Sequence, residues 1–254
     1  MLSPAIPCHF HGTDIKMANM LMRHLGAFRC ATDSLRTYYQ QYNSNPPSLL
    51  LHAIHPHPTS FTSSDGAVKH FTYLFHMKGR NLFFGRMDGT AICIKFVTSY
   101  CEEGHKFLAS KHFAPKLHAI ERIPGGLYMV IMDDVSEEYV SLFDLIQGNV
   151  HLLSEEHLSS RNLLSENVRK CLEDFHQANF VHGDIRNTNL MVKKSSFDGG
   201  SFLMVDYDSC GEIGQVRYPL NLNTKTVTRP AGAIGGAVIE AKHDLEMLDY
   251  IWNV

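Results

Sequence analysis

The residues best suited to chemistry lie in one loop, in the string Val181 to Val192 (VHGDIRNTNLMV). Within it, Asp184 and Asn189 are separated by five positions, and an apolar run typical of a strand follows. A carboxylate held at a hydroxyl can accept its proton, and a nearby amide oxygen can join the shell of a metal ion. Both residue types are also common in turns, where they bond the local backbone, so a purely structural role is the alternative.

A second group of candidate residues lies on predicted strands. Asp206 and Asp208 follow a short apolar run, and a carboxylate at a strand end suits a hard cation, which takes oxygen ligands. Lys95 lies on another predicted strand, where Ile94 and Phe96 should pack on the opposite face, so that the lysine projects toward a cleft. The alternatives are a solvated carboxylate at Asp206 and a solvent-facing lysine at Lys95.

The elements around these residues predict an α+β fold with two lobes. Three apolar runs separated by turn residues indicate a strand meander, with Asp88-Gly89 as a hairpin turn. A helix and a further apolar run complete a small antiparallel β lobe, and helices with two short strands form the second half. The predicted strands are 71–77, 82–87, 91–97, 127–132, 190–192 and 202–205, and the predicted helices are 101–111, 141–146 and 155–177. A cleft between two such lobes is the usual place for a ligand.

In chain order, these motifs resemble those of protein kinases and of related small-molecule kinases. The resemblance implies that Asp184 accepts the proton of the attacking hydroxyl and that Lys95 holds the α- and β-phosphates of ATP. It implies that Asn189 and Asp206 bind Mg²⁺, with Tyr207 in the place of the family's Phe. The expected fold is two-lobed and protein-kinase-like, with a reduced helical lobe that lacks the last helices.

The same resemblance implies roles for further residues. Arg186 would contact a phosphate, and Glu103, with Glu102 as a rival, would be the helix carboxylate paired with the lysine. Gly79 would be the glycine of the loop over the phosphates. The backbone from Asp133 to Val135 would meet adenine, and Asp244 would brace the catalytic loop. Asp244 would be structural rather than catalytic.

Several other strings make the likeness more specific. From Phe71 to Trp252 the chain looks like the protein-kinase-like proteins that are numerous in mushroom-forming fungi. The strings are Ala114-Pro115-Lys116-Leu117, Ile123-Pro124-Gly125-Gly126, Arg217-Tyr218-Pro219 and His243-Asp244. The ordered set is more specific than any single motif in it.

The sequence also departs from the protein-kinase pattern. The segment in the place of the glycine-rich loop holds one glycine, Gly79, while Gly183 replaces an Arg and Asp208 replaces a Gly. No Ala-Pro-Glu string follows Asp206. The first hypothesis is an ATP- and Mg²⁺-dependent phosphotransferase acting on a hydroxyl of a protein or of a small molecule. A pseudokinase that binds a nucleotide or a protein partner without transferring phosphate is the alternative.

Composition limits the classes of protein and partner. The chain has 254 residues, 44% apolar and 19% charged, with a formal net charge of -3, so a folded core is expected and a nucleic-acid partner is not. We predict no membrane span and no secretory signal, and therefore an intracellular, most simply cytoplasmic, protein. The 6 cysteines form no paired spacing and are expected to be reduced, and the 16 histidines show no zinc pattern.

The sequence divides into an extension, residues 1–69, and a kinase-like domain, residues 70–254, whose small lobe ends near residue 133. Helical spacing is predicted within the extension, over 18–28 and 34–42. Stretches rich in Asn, Pro, Ser and Thr predict linkers at 43–48 and 55–64. A scaffolding role exerted through the extension is a third hypothesis.

Overall fold

The computed structural model describes residues 15–44, 58–63, 66–123, 125–148, 154–195 and 197–252. The chain separates into two compact units, Met1–His57 and Pro58–Val254. The second unit begins before the boundary expected at 69/70, because strands β1 (Ser60–Thr62) and β2 (Val68–His70) pair antiparallel. Phe61 of β1 is 3% exposed in the core of this unit, so part of the expected 55–64 linker is an ordered strand. The 43–48 linker lies almost wholly outside the described residues.

The described part of the first unit is one helix, α1 (Ile15–Ser44), where the sequence predicted two helical segments. The intervening residues are compatible with helix, and Thr32 bonds back to the carbonyl of Phe28 at 2.8 Å. Thr37 does the same to the carbonyl of Asp33 at 3.0 Å. These bonds to the preceding turn keep β-branched polar residues within a continuous helix. Within the described ranges, no helix combines the length and apolar character needed to cross a bilayer.

A five-stranded antiparallel sheet forms the small lobe, in the order β3-β4-β5-β7-β6. Its strands are β3 (Thr72–His76), β4 (Leu82–Met87), β5 (Thr90–Val97), β6 (Leu117–Ile123) and β7 (Leu127–Asp133). The predicted meander corresponds to β3, β4 and β5. Asp88 and Gly89 both have positive φ, 50° and 82°, as the predicted tight hairpin requires. The sequence analysis missed β6, whose residues alternate less clearly between apolar and polar types.

The alternation of side chains between the two faces of β5 determines the face on which Lys95 lies. Ile92, Ile94 and Phe96 are at most 1% exposed and pack in one core cluster. Cys93 and Val97, on the other face, belong to a second apolar cluster. Because side chains of a strand alternate, Lys95 shares the face of Cys93 and Val97.

Helix α2 (Glu102–Ser110) packs closely on the large lobe. A Cβ atom at Gly104 would lie 2.7 Å from the Cys210 sulfur and 3.0 Å from the Cys101 sulfur. The amide of Cys101 donates to the carbonyl of Tyr207 at 3.1 Å. The N-terminal end of α2 is thus bound to the segment that carries the strand-end carboxylates.

The large lobe is built on helix α4 (Leu158–Gln177), which a 3₁₀ turn at Glu155–His157 precedes. Its inward residues follow the predicted three- and four-residue steps and are at most 3% exposed: Leu164, Val168, Cys171, Leu172 and Phe175. The other helices are α3 (Leu142–Gly148) and α5 (Ala241–Leu248). Two small sheets complete the lobe, β11-β10-β8 and β12-β9. Their strands are β8 (Tyr139–Ser141), β9 (Phe180–Val181), β10 (Leu190–Lys193), β11 (Phe202–Met204) and β12 (Gly211–Glu212).

Candidate active site

The loop between β9 and β10 is fixed by a buried carboxylate from α5. Asp244, fully buried, accepts hydrogen bonds from the amides of Gly183 at 2.7 Å and His182 at 2.8 Å. His176 Nε2 lies 3.0 Å from the same carboxylate. Gly183 has φ 76°, which a glycine adopts without strain. Asp244 therefore lies where the sequence analysis expected a structural brace for this loop.

Asp184 is held by two neighbours from its own loop. Its Oδ2 atom accepts from Arg186 Nε at 3.1 Å and Nη2 at 2.8 Å. Asn189 Nδ2 donates to the same oxygen at 2.8 Å and to the Asp184 carbonyl at 2.9 Å. The amide nitrogen of Asn189 is committed to Asp184, so its Oδ1 atom, which also accepts from Thr188 Oγ1 at 3.4 Å, is the end that can meet a cation.

Arg229 is a second cation at Asp184, and the sequence analysis did not identify it. Its Nη2 atom lies 2.8 Å from Asp184 Oδ1, and its side chain is 8% exposed. Its Nη1 atom donates to the carbonyl of Gly183 at 3.3 Å. The N–H bonds are not aligned on Oδ1, so this buried oxygen makes an ion pair but no hydrogen bond to the described residues. No local pattern around Arg229 signals a contact with a loop so distant in sequence.

The segment that carries the strand-end carboxylates is bonded to the same loop through its backbone. The amide of Val205 donates to the carbonyl of Asn189 at 3.0 Å, and Asp206 follows Val205 directly. Asp206 has φ 76°, an uncommon conformation for a residue other than glycine. Tyr207 then turns inward and is fully buried, with its hydroxyl donating to the Met204 carbonyl at 3.0 Å.

Lys95 is bound by both strand-end carboxylates. Its Nζ atom is 2.5 Å from Asp206 Oδ1 and 2.6 Å from Asp208 Oδ1. Burial opposes the charged form of Lys95, but the two carboxylates outweigh it and raise its pKa. Burial also opposes ionisation of Asp206, yet Lys95 lowers the pKa of that carboxyl. Burial and the neighbouring Asp206 raise the pKa of Asp208 to about 6.

The structure does not form the predicted ion pair between Lys95 and Glu103. The Glu103 side chain is 71% exposed and lies 3.5 Å from Lys106, and its rival Glu102 lies 2.7 Å from the same lysine. The short interval after β5 places both glutamates in the first turn of α2, on its outer face. The inward positions of the helix belong to Gly104, His105 and Leu108.

His105 occupies an inward position of α2 instead of a carboxylate. Its ring stacks on Tyr207 with centroids 4.6 Å apart, and its nitrogens contact Tyr100 Oη at 2.8 Å and the Pro115 carbonyl at 2.7 Å. Burial lowers the pKa of His105 to about 4. This histidine is therefore neutral at pH 7 and belongs to the packing. Among the described residues, no group of three or more His, Cys, Asp or Glu side chains could hold a metal ion.

The remaining predicted site residues, Gly79, Asp133 and Val135, take part in other local contacts. Gly79, with φ 81°, is in the turn between β3 and β4, which the bond from the Arg80 amide to the Met77 carbonyl closes at 3.1 Å. At the end of β7, the amide of Asp133 donates to Lys116 and its side chain contacts His118 at 2.6 Å.

Val135 lies in the turn that follows β7, and its carbonyl accepts hydrogen bonds within that turn. This carbonyl accepts from the amides of Glu138 at 3.2 Å and Tyr139 at 2.9 Å. The roles expected for Gly79, Asp133 and Val135 thus stay predictions.

Comparisons with known proteins agree with this geometry at the level of the fold. No family model and no curated protein matches the chain. The solved structure of the PK-1 kinase of the Cydia pomonella granulovirus matches with 19% identity and a TM-score of 0.54, over 70% of this chain and 65% of that one. Vaccinia related kinase 3 matches with 15% identity and a TM-score of 0.50, over 84% of this chain and 71% of that one. This chain thus spans slightly less than two thirds of the granulovirus kinase, and it has a two-lobed, protein-kinase-like fold.

Proposed function

We propose that the protein is an ATP- and Mg²⁺-dependent phosphotransferase that acts on a hydroxyl of a protein or of a small molecule. One observation carries the proposal: Lys95 binds Asp206, Asn189 binds Asp184, and the amide of Val205, the residue before Asp206, joins the two pairs by donating to the Asn189 carbonyl. Each of the four paired residues has the residue type that phosphoryl transfer needs at that place, a cation, a metal-binding carboxylate, an amide oxygen and a base.

The oxygen ligands available fit magnesium. Mg²⁺ is usually held by one or two carboxylates together with phosphate oxygens and water. Asp206 supplies a carboxylate, and Asn189 supplies Oδ1, since its nitrogen is bonded to Asp184. MgATP would bring the γ-phosphoryl group and the cation that offsets its charge. Lys95 would hold the phosphates, the turn at Gly79 would cover them, and backbone groups near Asp133 and Val135 would meet adenine.

Asp184 would accept the proton of the acceptor hydroxyl at Oδ1. That oxygen has no aligned donor among the described residues, whereas Oδ2 is fixed by Arg186 and Asn189. As the hydroxyl oxygen bonds to the γ-phosphorus, the bond from phosphorus to the β,γ-bridging oxygen breaks and the proton passes to Asp184. Most of the rate enhancement would come from positioning and charge stabilisation.

The test is a thermal-shift titration of the purified chain with ATP, with and without Mg²⁺. A ligand that binds only the native state adds about 2.7 kcal/mol at a hundredfold excess over Kd, which the melting temperature readily reports. We expect a shift that requires Mg²⁺, is reduced by Lys95→Ala and is lost in Asp206→Asn. No shift at millimolar ATP would reject the proposal.

A pseudokinase is the second candidate, and the small lobe favours it. The turn at Gly79 offers one glycine, and the amides of Asp133 and Asp134 are already bonded to the carbonyls of Lys116 and Ala91. A site of this kind would bind a nucleotide weakly or serve a protein partner. Mg²⁺-dependent ATP binding without release of phosphate would favour this candidate.

The finer resemblance is part of the proposal as well. We infer from the ordered strings that the chain is related to the kinase-like proteins of mushroom-forming fungi. Tyr218 and His243, which belong to two of these strings, are buried and lie 3.3 Å apart, Oη to Nδ1. An intracellular location and the lack of a nucleic-acid partner stay predictions from composition.

A further inference from the structure

Lys95 takes both of its carboxylate partners from one short segment. Asp206 and Asp208 flank Tyr207, and both reach the Lys95 Nζ atom, at 2.5 Å and 2.6 Å. The positive φ of Asp206 turns the chain at this point. Tyr207 points into the core between them, where it stacks on His105. The two aspartates therefore face the lysine while the residue between them anchors the segment.

Helix α2 presents no carboxylate to the lysine among the described residues. Glu102 and Glu103 bind Lys106 on the outer face. Gly104 leaves no room for a longer side chain, since a Cβ atom there would already lie 2.7 Å from the Cys210 sulfur and 3.0 Å from the ring of Phe175. His105 is neutral and engaged by Tyr100 and the Pro115 carbonyl. The kinase resemblance predicted that a helix glutamate would pair with Lys95, and none of the described residues of α2 is placed to do so.

We propose that Asp208 is the residue that positions Lys95, in the place expected for a carboxylate of α2. Asp206 directly follows Val205, whose amide donates to the Asn189 carbonyl, whereas Asp208 lies two residues further along the chain. If Asp206 turns to a metal ion, Asp208 remains to hold the lysine. The orientation of Lys95 then depends on the segment Asp206–Asp208 and not on a movement of α2. The consequence for nucleotide affinity rests on the proposed function, whereas the ion pair itself does not.

The pair is tested first without any ligand, by thermal unfolding of the full chain in a double-mutant cycle of Lys95→Met and Asp208→Asn. Asp208→Asn should lower the melting temperature while Lys95 is present. It should not do so in Lys95→Met, where Asp208 would only repel Asp206. We expect the effect of Asp208→Asn on the melting temperature to differ by about 3 °C between the chain with Lys95 and the Lys95→Met variant. Glu103→Gln is the matched control and should show no such coupling to Lys95. Additive changes for Lys95 and Asp208 would overturn the proposal, whether or not the protein binds ATP.

The second measurement is the affinity for MgATP by titration calorimetry of the same variants. Asp208→Asn should weaken binding about tenfold when Lys95 is present, since a charge-assisted hydrogen bond orients the lysine. Asp208→Glu should recover part of this loss, and in Lys95→Met the change at Asp208 should cause no loss. A loss that persists in Lys95→Met would identify Asp208 as a metal ligand and overturn its positioning role. If the unmodified chain does not bind ATP, the phosphotransferase proposal fails, and the unfolding cycle alone decides on the pair.

Discussion

The two halves of the candidate site differ in how closely they follow the kinase pattern. In the large lobe, Asn189 donates a hydrogen bond to Asp184 within one loop, and Asp244 braces that loop from α5. At Lys95 of the small lobe, the expected glutamate is exposed, and Asp208 of the large lobe binds the lysine instead. The loop proposed to carry out the chemistry thus follows the kinase motif, whereas the carboxylate that holds Lys95 is not the one that the motif predicted.

This difference indicates which parts of such a site depend on one another. The loop between β9 and β10 has a fixed backbone direction because a buried carboxylate accepts hydrogen bonds from two of its amides, and such groups are costly to leave unpaired. The side chain of a lysine is long and flexible, so it can form an ion pair with any carboxylate at a suitable distance. We therefore expect changes in the large-lobe half to have larger effects than changes in the small-lobe half.

The largest effect is expected from Asp184→Asn. An amide cannot accept the hydroxyl proton, and general-base catalysis contributes about 10²- to 10⁴-fold, so phosphate release from MgATP should fall by that factor. Binding of MgATP should be retained, because Lys95 and Asp206 are unchanged. Phosphate release is measured alongside MgATP affinity. Asp249→Asn, at an exposed carboxylate 62% accessible, is the control and should leave turnover unchanged. Equal turnover in Asp184→Asn would reject Asp184 as the base.

Asp244→Ala should cause the largest loss of stability. It removes the acceptor of two buried amides, those of His182 and Gly183, which costs about 4 kcal/mol. The melting temperature should fall by about 10 °C, as followed by circular dichroism. Asp244→Asn, which keeps one acceptor oxygen, should fall between this variant and the unmodified chain. Glu246→Gln, on the same helix, is the control, and a comparable loss there would mean that α5 is sensitive to any change.

His105 should make the packing of α2 sensitive to acid. Burial lowers the pKa of His105 to about 4 from its usual value of 6.5, so the unfolded chain binds the extra proton between these two pH values. Stability should therefore fall as the pH decreases from 6.5 to 4, by about 3 kcal/mol from this residue. Urea unfolding across that range measures it. In His105→Gln this part of the pH dependence should be absent; if the slope is unchanged, another group is responsible.

The sequence predicted the parts of the site that depend on local spacing. The orientation of Lys95 and the inward residues of α4 follow from periods of two and of three to four residues. The loop with Asp184 and Asn189 was identified from its motif and from the resemblance to kinases. Arg229 and the pairing of Asp208 with Lys95 depend on contacts between distant segments, and no local pattern encodes them. β6 was missed because its burial is intermediate along most of its length. Glu103 was misassigned because the resemblance fixes a residue type near a position and not the face of the helix.

The smallest effect is expected from Glu103→Gln, and this absence of effect is itself informative. The Glu103 carboxylate is 71% exposed and 3.5 Å from Lys106, and exposed pairs of this kind contribute about 0–1 kcal/mol. Its removal should leave MgATP affinity and melting temperature within error of the unmodified chain. Lys95→Ala, measured in parallel, should reduce the thermal shift caused by MgATP. If Glu103→Gln weakened nucleotide binding as strongly as Lys95→Ala, α2 would have to rotate when ATP binds and bring Glu103 inward. The small-lobe half would then follow the kinase pattern after all.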